Sequence, residues 1–348
     1  LWRIKLMAMD ILYSSLYQID HSNGLRQSIN IGDSGEILTQ YTNRLLDQIY
    51  KSGNRRSFIF RSDNTEVRAA IQRILENVDV AEAAEINVDR LLAVEADAQE
   101  EHKHLDMEIP KGSLFQTLIE DDNEKKIIIS KADHNEFVDD EDFQLHKGLP
   151  WKKRIYKAAM VVFDQNNQVS SVFVYDTGSK ISTYWWKHYL ELSELYTNEH
   201  NTSRSLEIMD NKVFGKIKED FPADHFLLRN STVGFYKSNE EFDLGVYLDT
   251  IWNGYDPVDE GFDKEKWISK LLELPDKWSF DPKFDIVKSE VNKRMLSKVA
   301  LNEGLDLVIK DHIENIEDTI TAELDREGNK FIKIRTDTGY EKFKKRDQ

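Results

Sequence analysis

The densest run of carboxylates in the chain is Asp133-His134-Asn135-Glu136, continued by Asp139-Asp140-Glu141-Asp142, with Lys131 just ahead of it. Oxygen ligands of this kind suit Mg²⁺, and a strand-borne lysine beside them is the layout of a metal-dependent nuclease. The spacing does not fix the mutual geometry such a centre demands, and a solvated acidic loop has the same sequence. Glu101-His102-Lys103-His104 offers two imidazoles. On a helix, however, residues two apart face different sides, and a metal site needs three or four ligands. The expectation is therefore no resident metal and no cofactor. His200 beside Asn201-Thr202-Ser203 brings an imidazole near hydroxyls, yet no Gly-x-Ser-x-Gly elbow occurs anywhere. There is no Gly-x-x-x-x-Gly-Lys-Ser/Thr loop and no Gly-x-Gly-x-x-Gly fingerprint, so ATP hydrolysis and dinucleotide chemistry have no support. No residue is assigned a catalytic role.

Basic clusters are the remaining candidates. Lys152, Lys153, Arg154 and Lys157 follow Trp151, and are the residues expected to contact nucleic-acid phosphates. Arg55, Arg56 and Arg61 form a second group, and Lys342, Lys344, Lys345 and Arg346 a third. A solvated face is the commoner fate of any one such cluster. The stretch Tyr184-Trp185-Trp186-Lys187-His188-Tyr189 is rich in aromatics. At helical spacing Trp185, Tyr189 and Leu192 share a core-facing stripe, whereas Trp186 falls off it and is expected to anchor a partner.

The body that carries these groups is acidic. Of its 348 residues 64 are acidic and 47 basic, a formal net charge of −17 that opposes long-range attraction to DNA. Any nucleic-acid site must then be a local basic face. The chain has no cysteine, which excludes disulfides, thiolate catalysis and sulfur-ligated metals, and points to a cytoplasmic, reducing compartment. No apolar run approaches the ~18 residues of a membrane span. The opening Leu1-Trp2-Arg3-Ile4-Lys5-Leu6-Met7 is too broken by charge to serve as a secretory signal.

The elements that must position these residues read as an α+β protein in four parts. Residues 1–109 combine two short strands around Asn23-Gly24 with three helices: one bearing Ile37, Tyr41, Leu45 and Ile49, one capped near Ser62 or Asp63, and one over 82–101. Residues 110–180 alternate apolar strands with polar turns at Asp121-Asp122-Asn123-Glu124 and Asp164-Gln165-Asn166-Asn167. Tight turns of this type imply an antiparallel meander, and its apolar faces require helices to cover them. Residues 181–274 are mainly helical, with an acidic linker between Pro257 and Lys264. Residues 275–348 end in three strands, the last two joined by Asp325-Arg326-Glu327-Gly328-Asn329.

Taken in order, these elements resemble the 37-kDa nucleoid-associated protein family of bacteria. The likeness is carried by Leu114-Phe115, by Ile127 through Asp140, and by Lys147-Gly148-Leu149-Pro150 with Lys152, Lys153 and Lys157. It continues in Tyr184 through Leu192 with Asn201-Thr202, and in the strands between Leu305 and Ile334. The resemblance implies a cytoplasmic, nucleoid-associated DNA-binding role, brings no catalytic residue with it, and allows self-association. The long acidic loop and acidic linker depart from the family pattern. Two rivals stand beside it: by analogy with divergent relatives of that family, an adaptor subunit of an anti-phage defence or DNA-processing complex, using acidic faces and Trp186; and, from the residues, a metal-dependent nuclease around Asp133, His134, Glu136, Asp139 and Lys131.

Overall fold

The computed structural model describes residues 9–31, 35–51, 55–101, 109–121, 123–133, 135–138, 145–148, 157–178 and 180–344. It has two compact units, Leu1–Thr197 and Asn198–Gln348. The fold is α+β: an antiparallel sheet covered by helices, a helical middle and small strand pairs toward the C-terminus.

The first unit is built on an eight-stranded sheet. Its strands are β1 (Asp10–Asp20), β2 (Leu25–Ile29), β3 (Arg55–Phe60), β4 (Gly112–Asp121) and β5 (Glu124–Asp133), then β8 (Lys157–Phe163), β9 (Val169–Asp176) and β10 (Leu192–Glu194). A separate hairpin of β6 (Asn135–Val138) and β7 (Leu145–Gly148) lies between β5 and β8 in the chain. The spatial order is β10-β3-β9-β8-β5-β4-β1-β2. The predicted meander forms its centre, as β4, β5, β8 and β9 in antiparallel succession. Local turn chemistry sets the register. Asn123 at φ 63° and Asn167 at φ 58° take the left-handed conformation that tight turns need, and Asp164 accepts from the N–H groups of Asn166 and Gln168.

These central strands are buried on both faces, because helices cover each side. Helices α2 (Glu66–Leu75) and α3 (Val80–Glu101) pack Ile71, Ile74, Val88 and Leu91 against Leu114, Ile127, Ile129 and Val161. Helix α1 (Gly35–Lys51) packs Tyr41, Leu45 and Ile49 against Phe115, Ile128, Met160 and Tyr175 on the opposite side. Successive isoleucines of β5 therefore serve two different cores.

The opening third holds one strand more than the two read from sequence. β1, β2 and β3 all join the large sheet, and β3 was hidden by its start, Arg55-Arg56. Arg55 is 5% exposed, with its guanidinium 4.8 Å from the Phe173 ring centroid, so stacking lets a cation enter a strand. Neither Ser62 nor Asp63 caps α2: Thr65 holds the cap position, and the Glu191 carboxylate accepts the Glu66 N–H at 2.8 Å from 125 residues away. Trp185 and Tyr189 are fully buried as expected, but on a single π-helical stretch, Tyr184–Tyr189. The chain then leaves helix at Glu191, φ 54°, and Leu192 pairs with Phe60 in the sheet instead of continuing the stripe.

Gly112 marks a close approach. A Cβ built there would lie 2.5 Å from the Ala132 carbonyl oxygen of the neighbouring strand. Backbone cannot yield as a side chain can, so Gly112→Ala is expected to lower unfolding stability by ~1–3 kcal/mol in urea denaturation. An unchanged midpoint would show that β4 and β5 have slack there.

The second unit runs α4 (Asn198–Met209), a π-helical turn (Asp210–Phe214), α5 (Gly215–Asp220) and α6 (Pro222–Ser238). It continues through β11 (Glu241–Asp243), α7 (Leu244–Tyr247), a second π-helical turn (Leu248–Asn253), α8 (Lys264–Leu272), α9 (Leu274–Trp278) and β12 (Lys283–Asp285). Its core is aromatic: Phe242 stacks on Phe284 at 4.9 Å, and Trp252 Nε1 donates to the Tyr247 hydroxyl at 3.0 Å. Four strands follow in two hairpins, β13 (Ser297–Asn302) with β14 (Leu305–Ile309), and β15 (Ile320–Leu324) with β16 (Lys330–Ile334). The three strands expected over 275–348 lacked β12 and β13. No helix among the described residues is long and apolar enough to cross a membrane.

Candidate functional site

Two clusters of charge stand out among the described residues, one in each unit. The first lies at the end of the sheet where β5 finishes and β8 begins. Ladder register sets Lys131 opposite Lys157, and Lys157 opposite Asp176, so three charged side chains share one face. Glu95 reaches them from α3. Its stripe Asn87, Leu91, Glu95 recurs every four residues and points at the sheet, where Asn87 also donates to Gln116 at 2.7 Å. The Lys131 ammonium sits 2.5 Å from Glu95 Oε1 and 3.7 Å from Asp133, and donates to the Pro110 carbonyl at 3.2 Å. Both Lys131 and Glu95 are 1% exposed. Burial pushes the Glu95 carboxyl upward from the ordinary range, against the pull of Lys131.

This cluster satisfies itself. Asp176 accepts from the Gly178 and Ser182 N–H groups and the Ser182 hydroxyl, each at 2.9 Å, and pairs with Lys157 at 3.5 Å. Lys157 also sits 5.6 Å from the Tyr184 ring centroid. The Tyr184 phenol is raised well above the usual range, by burial first and by Glu95, Asp133 and Asp176 after it. Two lysines and three carboxylates meet here, and each is ion-paired or hydrogen-bonded within the protein, so this end of the sheet is a structural lock.

The residues singled out from sequence fall as follows. Trp151, Lys152, Lys153, Arg154, His134 and Asp139 lie outside the described residues, as does the Glu136 side chain. Lys157 is described and is held by Asp176. Asp133 and Lys131 belong to the lock, which turns the Lys131 side chain inward. Among the described residues no three His, Asp or Glu side chains are placed to hold one metal ion. Trp186, expected as an outward anchor, is half-buried with its ring 5.2 Å from that of Phe58. Arg56 pairs with Glu194 at 2.8 Å, and Arg61 donates to the Leu192 carbonyl at 3.1 Å, so the second basic group ties the sheet edge together. Asn201 and Thr202 are structural as well: Asn201 bridges to Asp281, and Thr202 accepts the Val287 N–H at 3.0 Å.

The second cluster was not visible in sequence. Lys212 on the first π-helical turn, Lys216 on α5, and Lys266 and Lys270 on α8 converge on one face of the second unit. Two indoles floor it. The Lys212 ammonium lies 4.3 Å from the Trp278 ring centroid, and those of Lys266 and Lys270 lie 5.3 and 5.0 Å from that of Trp267. Lys216 and Lys270 are in direct side-chain contact. Burial, then the charge of Lys216 and that of Lys266 and Lys212, hold the Lys270 ammonium below the ordinary lysine range. Among the described residues no carboxylate lies within ion-pair distance of any of the four, although Glu219 and Asp220 follow on α5. The available signal was faint: two lysine pairs at helical spacing, i and i+4, with tryptophans nearby and about fifty residues between the pairs.

Such a face can hold phosphates. Ammonium groups fixed over indoles keep their positions and offer charge without a competing acid. The chain matches no protein-family model and no curated protein sequence.

Proposed function

We propose that this chain is a DNA-binding protein without a catalytic centre of its own, of the nucleoid-associated kind that its sequence resembles. The observation that supports this reading is the lysine–indole face. Four cations from two separate stretches gather with no acid among them, on a chain with 64 acidic and 47 basic residues. Crowded like charges are unfavourable in the free protein, and a polyanion offsets that repulsion when it binds. Lys152, Lys153 and Arg154, beside Trp151, remain in the proposal as further phosphate contacts. Lys157 adds less, because Asp176 already neutralises it.

The test is fluorescence anisotropy of the whole chain against a labelled duplex, from low to physiological salt, with and without Mg²⁺. Binding that weakens steeply as salt rises is expected. Flat anisotropy at low salt would remove direct DNA binding as the function.

A different observation favours the adaptor reading. On β15 and β16, Leu324, Ile332 and Ile334 share one face and are 67%, 48% and 44% exposed. A two-stranded hairpin with an open apolar face is marginal alone, and a protein of a DNA-processing complex would cover it. An adaptor without DNA affinity would leave the anisotropy flat.

A further inference from the structure

We infer that the face formed by Lys212, Lys216, Lys266 and Lys270 grips the phosphate backbone of a nucleic-acid duplex and does not read its bases. The inference rests on the DNA-binding reading above and specifies its ligand. Three features of the face lead to it. Its cations form two short rows, Lys212 with Lys216 and Lys266 with Lys270, each spaced by one helical turn. One turn separates side chains by ~5–6 Å, so each row offers a fresh ammonium to successive charges on a strand.

Next, the aromatic rings of the face are not free. Proteins that hold single strands lay unstacked bases on exposed aromatic surfaces. Here Trp267 is only 5% exposed, and each indole already has an ammonium over its ring. A flipped base would have to displace Lys212 from the half-buried Trp278, whereas a duplex keeps its bases stacked within itself and presents phosphates outward.

Finally, the face offers donors of one kind. Base readout depends on side chains that match donor and acceptor patterns, such as bidentate arginine on guanine or asparagine on adenine. Four ammonium groups are point charges that neutralise phosphates of any sequence. A duplex also carries the denser charge, one per ~1.7 Å of axis.

The experiment uses the whole chain and three probes of equal length: two unrelated duplexes and one single strand, each titrated across a salt series. The four phosphates neutralised by this face contribute about −3.6 to the log–log salt slope, so through this face alone a fourfold rise in salt weakens duplex binding about 150-fold. Both duplexes are expected to bind alike, and the single strand more weakly. Lys212→Gln, Lys216→Gln, Lys266→Gln and Lys270→Gln together should make the slope shallower by about 3.6. Lys216→Gln alone, at an exposed position that folding tolerates, should remove about one unit of it.

The failures are distinguishable. No binding to any probe removes the DNA-binding reading itself. Binding with an unchanged slope in the fourfold variant keeps that reading and overturns this face. Tighter binding to the single strand, or a tenfold preference between the duplexes, overturns backbone-only recognition. Low-salt self-association that the fourfold variant abolishes would assign the face to the acidic surface of a second copy, and would overturn the proposal.

Discussion

Replacing Lys131 with methionine is expected to destabilise the first unit by ~3–5 kcal/mol near neutral pH. The wild-type ion pair joins side chains that are each 1% exposed, at 2.5 Å. Methionine keeps much of the lysine stem's volume but leaves Glu95 buried with no cation against it. Its carboxylate must then stay charged in a dry site or take up a proton, and either costs free energy. At ~2–4 °C per kcal/mol for a unit of this size, the melting temperature should fall by about 10 °C. Glu95→Gln should cost less, because Lys131 keeps Asp133 at 3.7 Å and the Pro110 carbonyl at 3.2 Å. Combining Glu95→Gln with Lys131→Met should recover part of the loss, since no unpaired charge then remains.

The pH dependence separates a charge effect from a packing effect. Burial raises the folded-state value of Glu95 above its ordinary 4.5, and removing Lys131 raises it further. A group raised on folding stabilises the fold below its unfolded value, and that contribution is lost as pH rises through the folded value. The penalty of Lys131→Met should therefore be small near pH ~3, well below the ordinary value, where Glu95 is protonated in both states, and large near pH ~7. Urea denaturation at the two pH values, with hydrogen exchange of β4 and β5 to place the change in the first unit, reads this directly. An equal penalty at both pH values would mean that lost packing, and not the unpaired carboxylate, is responsible.

The parts of the fold that could be read in advance are those where local chemistry and burial agree. β4, β5, β8 and β9 are apolar runs between turns with Asn at the left-handed positions, and the tertiary structure asks nothing else of them. The elements missed are those that distant partners stabilise. β3 opens on two arginines, and is a strand because Phe173 stacks on Arg55 while Glu194 pairs with Arg56. The cap of α2 comes from Glu191, which no local pattern could reveal. β13 is the exception: its partner β14 follows after two residues, and it was missed because it alternates half-buried and exposed residues without an apolar run. The same logic governs the sites. A basic run such as Lys152 to Lys157 is conspicuous because its charges are adjacent in the chain, yet Lys157 is neutralised by Asp176, opposite it in the sheet. The four lysines of the indole-floored face, with no carboxylate at ion-pair distance among the described residues, are two pairs about fifty residues apart, joined by the packing of α8 against the π-helical turn. Charge adjacency in sequence measured neither exposure nor compensation.

Asp224→Ala is expected to destabilise the second unit by ~2–4 kcal/mol, and to loosen the lysine face at the same time. Asp224 is fully buried in the first turn of α6, where the positive end of the helix favours a carboxylate. It accepts from the Tyr255 hydroxyl at 2.7 Å, the Val258 N–H at 2.8 Å and the Asp259 N–H at 3.3 Å. One carboxylate thus ties down the irregular segment between the second π-helical turn and α8. Alanine leaves these donors without their acceptor. Asparagine is no remedy, because its amide presents a second donor where acceptors are needed. Tyr255→Phe, which removes a single donor and leaves the other two satisfied, should cost only ~1 kcal/mol. The consequence reaches function through chain order: α8 begins at Lys264, five residues beyond Asp259, and carries Lys266 and Lys270. With its approach released, that row loses its fixed position, whereas Lys212 and Lys216 precede α6 and keep theirs. Faster hydrogen exchange over 255–263 and a partial loss of the DNA salt slope are therefore expected together. Faster exchange with the full slope retained would show that α8 holds its lysines in place without this anchor.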